Sequence, residues 1–141
     1  MLHSILLVED NPADLDLTRR AFQRHQAAYP LQEAHDGAEA LEMVARLQSD
    51  ESGANLPLLV LLDLRLPKVN GFEVLRQLKS NPKTCHVPVV VLTSSSDHSD
   101  IQHAYTLGAN SYLIKPINYH EFSEMAATID QYWMGINVPF E

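Results

Sequence analysis

The sequence predicts an α/β protein: a doubly wound, five-stranded parallel sheet in the order 2-1-3-4-5, flanked by five helices. Three observations carry that prediction. Short continuous apolar runs alternate with longer amphipathic stretches, as in sheets covered on both faces. The length of 141 residues suits one domain with one proper core. No glycine-rich dinucleotide fingerprint follows the first run, which favours this strand order over the other common doubly wound one.

The elements follow in order. Residues 5–8 form an apolar run of buried-strand length, and Asn11 then offers a helix cap with Pro12 at the first helical position. Leu15, Thr18, Phe22 and His25 recur at helical spacing, leaving Asp14, Asp16, Arg19 and Arg20 for the wet face. A weaker strand is read around residues 31–34, closed by the turn signal of Asp36 and Gly37. Ala38, Leu41, Val44 and Ala45 stripe a second helix, and residues 48–55 read as a polar loop. Pro57 introduces residues 58–62, the most apolar strand. Gly71 precedes a third helix with Phe72, Leu75 and Leu78 on one side, ended by Asn81 and Pro82. Residues 89–92 make the fourth strand, and Asp97 or Ser99 caps a helix that runs through Leu107 and stops at Gly108. Residues 111–114 are the fifth strand. Asn118 and Glu121 have capping-box spacing and open a helix with Phe122, Met125, Ile129 and Tyr132 or Trp133 on its inner face.

Composition removes several function classes. Ten Lys and Arg against eighteen Asp and Glu leave a net charge of −8, which disfavours binding to a phosphate backbone. The densest basic cluster, Arg19, Arg20 and Arg24, is interrupted by Phe22 and makes no stripe. The longest apolar stretches, residues 58–62 and residues 87–92 broken by Pro88, fall far below the ~18 residues of a membrane span. No basic region precedes the first apolar run, and Glu9 and Asp10 follow it, so it is not expected to be a signal peptide. The lone Cys85 cannot form an internal disulfide, which makes a reducing, cytoplasmic setting the expectation. The histidines at 3, 25, 35, 86, 98, 103 and 120 show no metal-ligand spacing.

In open parallel sheets, ligands bind at the carboxyl ends of the strands. There the sequence places Glu9 and Asp10 after strand one, Asp63 after strand three, Thr93–Ser96 after strand four and Lys115 after strand five. Singly, each is an ordinary strand terminus, cap or loop. Together they are a site. Three converging carboxylates repel one another unless a cation intervenes, and a hard divalent ion such as Mg²⁺ resolves this with oxygen ligands. Lys115 adds a compact ammonium for a carboxylate or phosphoryl oxygen, and Thr93 adds a small hydroxyl donor. The set suits phosphoryl transfer to an aspartate, in which positioning and charge neutralisation supply most of the catalysis.

At these residues the chain resembles the receiver domains of two-component response regulators. The matching stretches are ILLVEDNPAD (5–14), AHDGAEAL (34–41), LVLLDLRLPKVNGFEVL (59–75), VPVVVLTS (87–94) and GANSYLIKPI (108–117). The resemblance implies the flavodoxin-like, CheY-like fold, with a receiver over residues 1–133 and a tail over 134–141. It implies Asp63 as phosphoacceptor, with Mg²⁺ held by Glu9, Asp10, Asp63 and the backbone carbonyl of Arg65. Thr93 becomes the switch hydroxyl, Lys115 the ion-pair partner of the phosphoryl group and Tyr112 the rotating aromatic. A cis Lys115–Pro116 bond is also implied.

The chain ends eight residues after Trp133, so no output domain is expected within it. Its partners would be a sensor histidine kinase, a downstream phosphotransfer protein and a second copy bound through the helix four–strand five–helix five face. The aromatic tail and the loop at 48–55 resemble the single-domain regulators that accompany bacterial phytochrome kinases. An alternative class is an aspartate-nucleophile phosphatase of the haloacid dehalogenase kind. That site wants an acid two residues after the nucleophile, where this chain has Arg65, and the chain has no cap insertion. A flavin module is disfavoured because the strand-end carboxylates would repel the cofactor's phosphate.

Overall fold

A computed structural model describes residues 4–23 and 30–140. The positions predicted at His3, Arg24 and His25 lie outside the described residues. Five parallel strands, β1 (Ser4–Val8), β2 (Leu31–Ala34), β3 (Pro57–Leu62), β4 (Val89–Thr93) and β5 (Ser111–Ile114), pair in the order β2-β1-β3-β4-β5. Five α-helices connect them: α1 (Pro12–Gln23), α2 (Gly37–Ser49), α3 (Gly71–Lys79), α4 (His98–Thr106) and α5 (Tyr119–Asp130).

The central strands are apolar but for Ser4 at the start of β1 and Thr93 at the end of β4, because both faces are covered. Leu6, Val8, Val60, Leu62, Val89 and Val91 face one core, shared with Val44 of α2, Val74 and Leu78 of α3 and Ala104 of α4. Ile5, Leu7, Leu59, Leu61 and Val90 face the other, shared with Leu15 and Phe22 of α1 and Ile129 of α5. The alternation is the two-residue period of a strand expressed as two cores. The edge strands β2 and β5 are mostly half-buried, which matches their weaker sequence signal.

Several expectations are refined. Helix α2 buries Gly37, Ala40, Val44 and Leu47, whereas Ala45 is exposed. Alanine offers too little apolar area to set a helix's rotation, so Val44 and Leu47 set it. Gln48 and Ser49 belong to α2, and the Gln48 amide donates to Gln77 O at 2.9 Å. Helix α3 stops at Lys79, before Asn81. The Lys115–Pro116 bond is trans, the isomer that X–Pro bonds favour by about 0.5–1 kcal/mol.

Past α5 the chain winds into a π-helix, Gln131–Ile136, where Asn137 N donates to Tyr132 O at 2.7 Å. That winding brings Trp133 onto the second core and leaves Tyr132 about half exposed. Of the two aromatics offered for the inner face, Trp133 takes it.

Two glycines position the ends of elements. Gly108 closes α4 at φ 105°, a conformation that L side chains rarely adopt. Gly71 opens α3 against the β3 terminus: its N–H donates to Leu64 O at 3.0 Å, and a Cβ there would overlap Asp63 O and Leu64 Cα. Gly71→Ala is therefore expected to cost about 1–3 kcal/mol in urea unfolding, by pushing the Asp63 backbone out of place.

Candidate functional site

Ladder hydrogen bonds continue one step past the strands and fix where the site residues start. Glu9 N donates to Ala34 O at 3.0 Å, Asp63 N to Val8 O at 3.0 Å and Lys115 N to Thr93 O at 2.7 Å. The carboxyl ends of β1, β3 and β5 thereby aim Glu9, Asp63 and Lys115 at one point. All three side chains are at least nine-tenths buried, with 10%, 7% and 9% exposure respectively.

Lys115 Nζ lies 2.5 Å from Glu9 Oε1, 2.8 Å from Asp63 Oδ2 and 3.0 Å from Asp14 Oδ2. The other Asp63 oxygen accepts from Arg65 N at 3.1 Å, and Glu9 Oε2 accepts from Asn11 N at 3.1 Å. Asn11 also caps α1, accepting from Ala13 N at 2.9 Å and Asp14 N at 3.2 Å. The positive end of α1 therefore abuts the acidic cluster.

The charges do not balance. Burial, with the Asp63 charge adding, pushes Glu9 up to about 7. Burial would raise Asp63 too, but the hydrogen bond and charge of Lys115 and the Arg65 N–H hold it below its ordinary value. Burial pulls Lys115 down, and its bonds to Asp63 and Glu9 overcome that and raise it.

Glu9, Asp10 and Asp63 each present a carboxylate oxygen within 4.8 Å of the others, the buried pair at the bottom and exposed Asp10 at the rim. This donor set is all oxygen and electron-rich, so the residues fit a hard divalent cation. Thr93 is fully buried beside Asp63 and helps hold that carboxyl ionised, yet its hydroxyl makes no hydrogen bond of good geometry among the described residues. A buried donor in that state is costly unless a further acceptor arrives.

Beside the cluster runs a chain of contacts. Tyr112 Oη donates to Ser95 O at 2.9 Å, and Ser95 Oγ donates to Asp100 Oδ2 at 2.6 Å. Arg65 Nη2 also donates to Asp100 Oδ2, at 2.9 Å. The segment after Asp63 is thus tied to α4 and, through Ser95, to β5.

Of the site residues predicted from sequence, Glu9, Asp10, Asp63, Thr93 and Lys115 meet here. Arg65 meets Asp63 through its backbone N–H with its side chain exposed, and Tyr112 stands away from the carboxylates at the far end of the contact chain. Two participants were not foreseen. Helical periodicity puts Asp14 on the wet face, although its place in the first turn of α1, straight after Glu9 and Asp10, is a usable signal. Asp100 carried none, because its partner Arg65 is 35 residues away.

Relatives share this architecture. The response regulator receiver domain family matches residues 5–127. The probable methanogenesis regulatory protein FilR2 of Methanothrix harundinacea is 45% identical over 133 residues, covering 94% of this chain and 84% of that protein. Response regulator Rcp1 of Synechocystis sp. is 37% identical over 130 residues, or 92% and 88% of the two chains. Among solved structures, the phosphorylated cyanobacterial phytochrome response regulator RcpA matches with a TM-score of 0.91 at 35% identity, covering 100% of both chains. The Mn(2+)-bound form of Rcp1 matches at 0.87, with 35% identity over 99% of each. With this fold, this strand-end cluster and these relatives, the chain belongs to the response regulator receiver family.

Proposed function

We propose that the protein is a phosphorylation-controlled switch in which Asp63 accepts a phosphoryl group from a sensor histidine kinase. The observation that carries this is the convergence on Asp63 of Lys115, Glu9 and the buried Thr93 hydroxyl. Glu9, Asp10, Asp63 and the Arg65 carbonyl would hold Mg²⁺, which when bound neutralises charge on the phosphoryl oxygens. Asp63 is the nucleophile. Lys115 orients the carboxylate by its 2.8 Å bond and then pairs with a phosphoryl oxygen. Thr93 donates to another, satisfying its buried hydroxyl.

The downstream event is mechanical. Moving Thr93 toward the phosphate draws the segment that carries Ser95, and Ser95 O is the acceptor of Tyr112. Tyr112 then loses its present anchor, which biases the α4–β5–α5 face between two arrangements. On that face Tyr105, Ile114, Ile117 and Tyr119 are exposed, which supports pairing with a second copy through it. Sedimentation of an Ile117→Asp, Tyr119→Glu variant should read monomer where the wild type reads dimer. Equal mass in both would remove that surface from the reading.

Residues 1–133 act as the receiver unit and 134–141 as its tail. The likeness to the cyanobacterial phytochrome response regulator RcpA supports a phytochrome-type kinase as donor, and onward transfer to a phosphotransfer protein is one output. The stronger sequence likeness to FilR2 makes the kinase the discriminating experiment. Mg²⁺-dependent labelling of wild type by acetyl phosphate or a phytochrome histidine kinase, and none of Asp63→Asn, is the expected result. Stoichiometric labelling of the variant would overturn the assignment.

A further inference from the structure

Lys115 pairs with three carboxylates at once, lying 2.5 Å from Glu9 and donating hydrogen bonds to Asp63 at 2.8 Å and Asp14 at 3.0 Å. Two of those acceptors have a further claim on them, because Glu9 and Asp63 belong with Asp10 to the cation-holding cluster. Asp14 does not, and among the described residues Lys115 is the cation paired with it. Its backbone is fixed by Asn11 Oδ1 on its N–H and by the Thr18 hydroxyl on its carbonyl, at 2.8 Å. Its carboxylate is about a quarter exposed, so its charge is partly desolvated and acts at short range.

We propose that Asp14 is the resting counter-ion of Lys115, a positioning residue with which an incoming phosphoryl group must compete, so that its charge sets how readily Asp63 is phosphorylated. The inference rests on the reading of Asp63 as phosphoacceptor. In that step an Asp63 oxygen bonds to phosphorus, and the bond from phosphorus to the donor's oxygen breaks. With acetyl phosphate, acetate leaves with the electron pair, and nothing is oxidised or reduced. Charge that sat on the Asp63 carboxylate is then carried by the phosphoryl oxygens, which need the ammonium. Asp14 stays negative, fixed and within reach of the same nitrogen. It holds Lys115 back from the phosphoryl group and repels the dianionic donor.

The test is the acetyl phosphate concentration that gives half-maximal labelling, at saturating Mg²⁺, for wild type, Asp14→Asn, Asp14→Ala and Asp14→Glu. Removing the charge should lower that concentration roughly three- to tenfold, the effect of one nearby charge in a wet, partly screened site. Maximal stoichiometry should stay unchanged, and the charge-keeping Glu variant should return to the wild-type value. A merely structural role would lower stoichiometry and melting temperature together, so a gain at low donor concentration distinguishes the two. An unchanged or raised half-saturation in folded Asp14→Asn and Asp14→Ala overturns the inference, as does a Glu variant that behaves like them. No label on wild type would instead overturn the Asp63 reading itself, and the inference with it.

Discussion

Lys115→Met should destabilise the metal-free protein by about 3–5 kcal/mol, because removing one member of a buried ion cluster leaves the others uncompensated. Here three carboxylates lose their common ammonium, and two of them, Glu9 and Asp63, are buried. The deficit should depend on pH with a definite sign. A carboxyl whose folded value lies above its unfolded value stabilises the fold while protonated, and that contribution is lost as pH rises through the folded value. Glu9 already stands at about 7 with Lys115 present, and loss of the ammonium raises it further. The variant's deficit should therefore open in acid as pH rises through the ordinary carboxylate range, where Asp63 loses the ammonium that holds its carboxyl ionised, and grow further through neutral pH as Glu9 ionises. A divalent cation supplies the missing charge, so Mg²⁺ should restore most of the lost stability. Urea midpoints on either side of neutrality, with and without Mg²⁺, check each part. A deficit independent of both pH and metal would contradict the charge cluster.

The second large effect concerns the cation itself. Glu9→Gln with Asp10→Asn should remove measurable Mg²⁺ binding and reduce labelling of Asp63 to background, because the proposed site then keeps one carboxylate. In the wild type, proton and metal compete for Glu9. Above about 7 that carboxyl is ionised and affinity should level off, and below it affinity should fall by up to about tenfold per pH unit. Binding near neutral pH should release protons for the same reason. Calorimetric titration in buffers of different ionisation heat detects that release directly. Metal binding without proton release at neutral pH would remove Glu9 from the ligand set.

The residues differ in how legible they were. The strands could be read because a parallel sheet with two covered faces demands continuous apolar runs, and 58–62 and 89–92 have few other uses. The ends of those runs gave Glu9, Asp63, Thr93 and Lys115 as a group. Asp14 was missed because helical periodicity sorts wet from dry faces but does not say which turn abuts a strand end. The Arg65–Asp100–Ser95 contacts were missed because they join three segments with no local spacing between them. Ala45 misled because alanine fits a buried or an exposed helix face equally well. The π-helical turn at Gln131–Ile136, which decides between Tyr132 and Trp133, has no pattern that periodicity at 3.6 residues could register.

All of the chemistry converges on one side chain, and acyl phosphates can be trapped where they form. After incubation with Mg²⁺ and a phosphodonor, borohydride reduction converts a phosphoaspartate to homoserine, which peptide mass spectrometry locates. Homoserine at position 63 in the wild type, dependent on Mg²⁺ and lost in Asp63→Asn, is the expected result. Homoserine at another aspartate, or an unmodified residue 63 in a labelled protein, would contradict it.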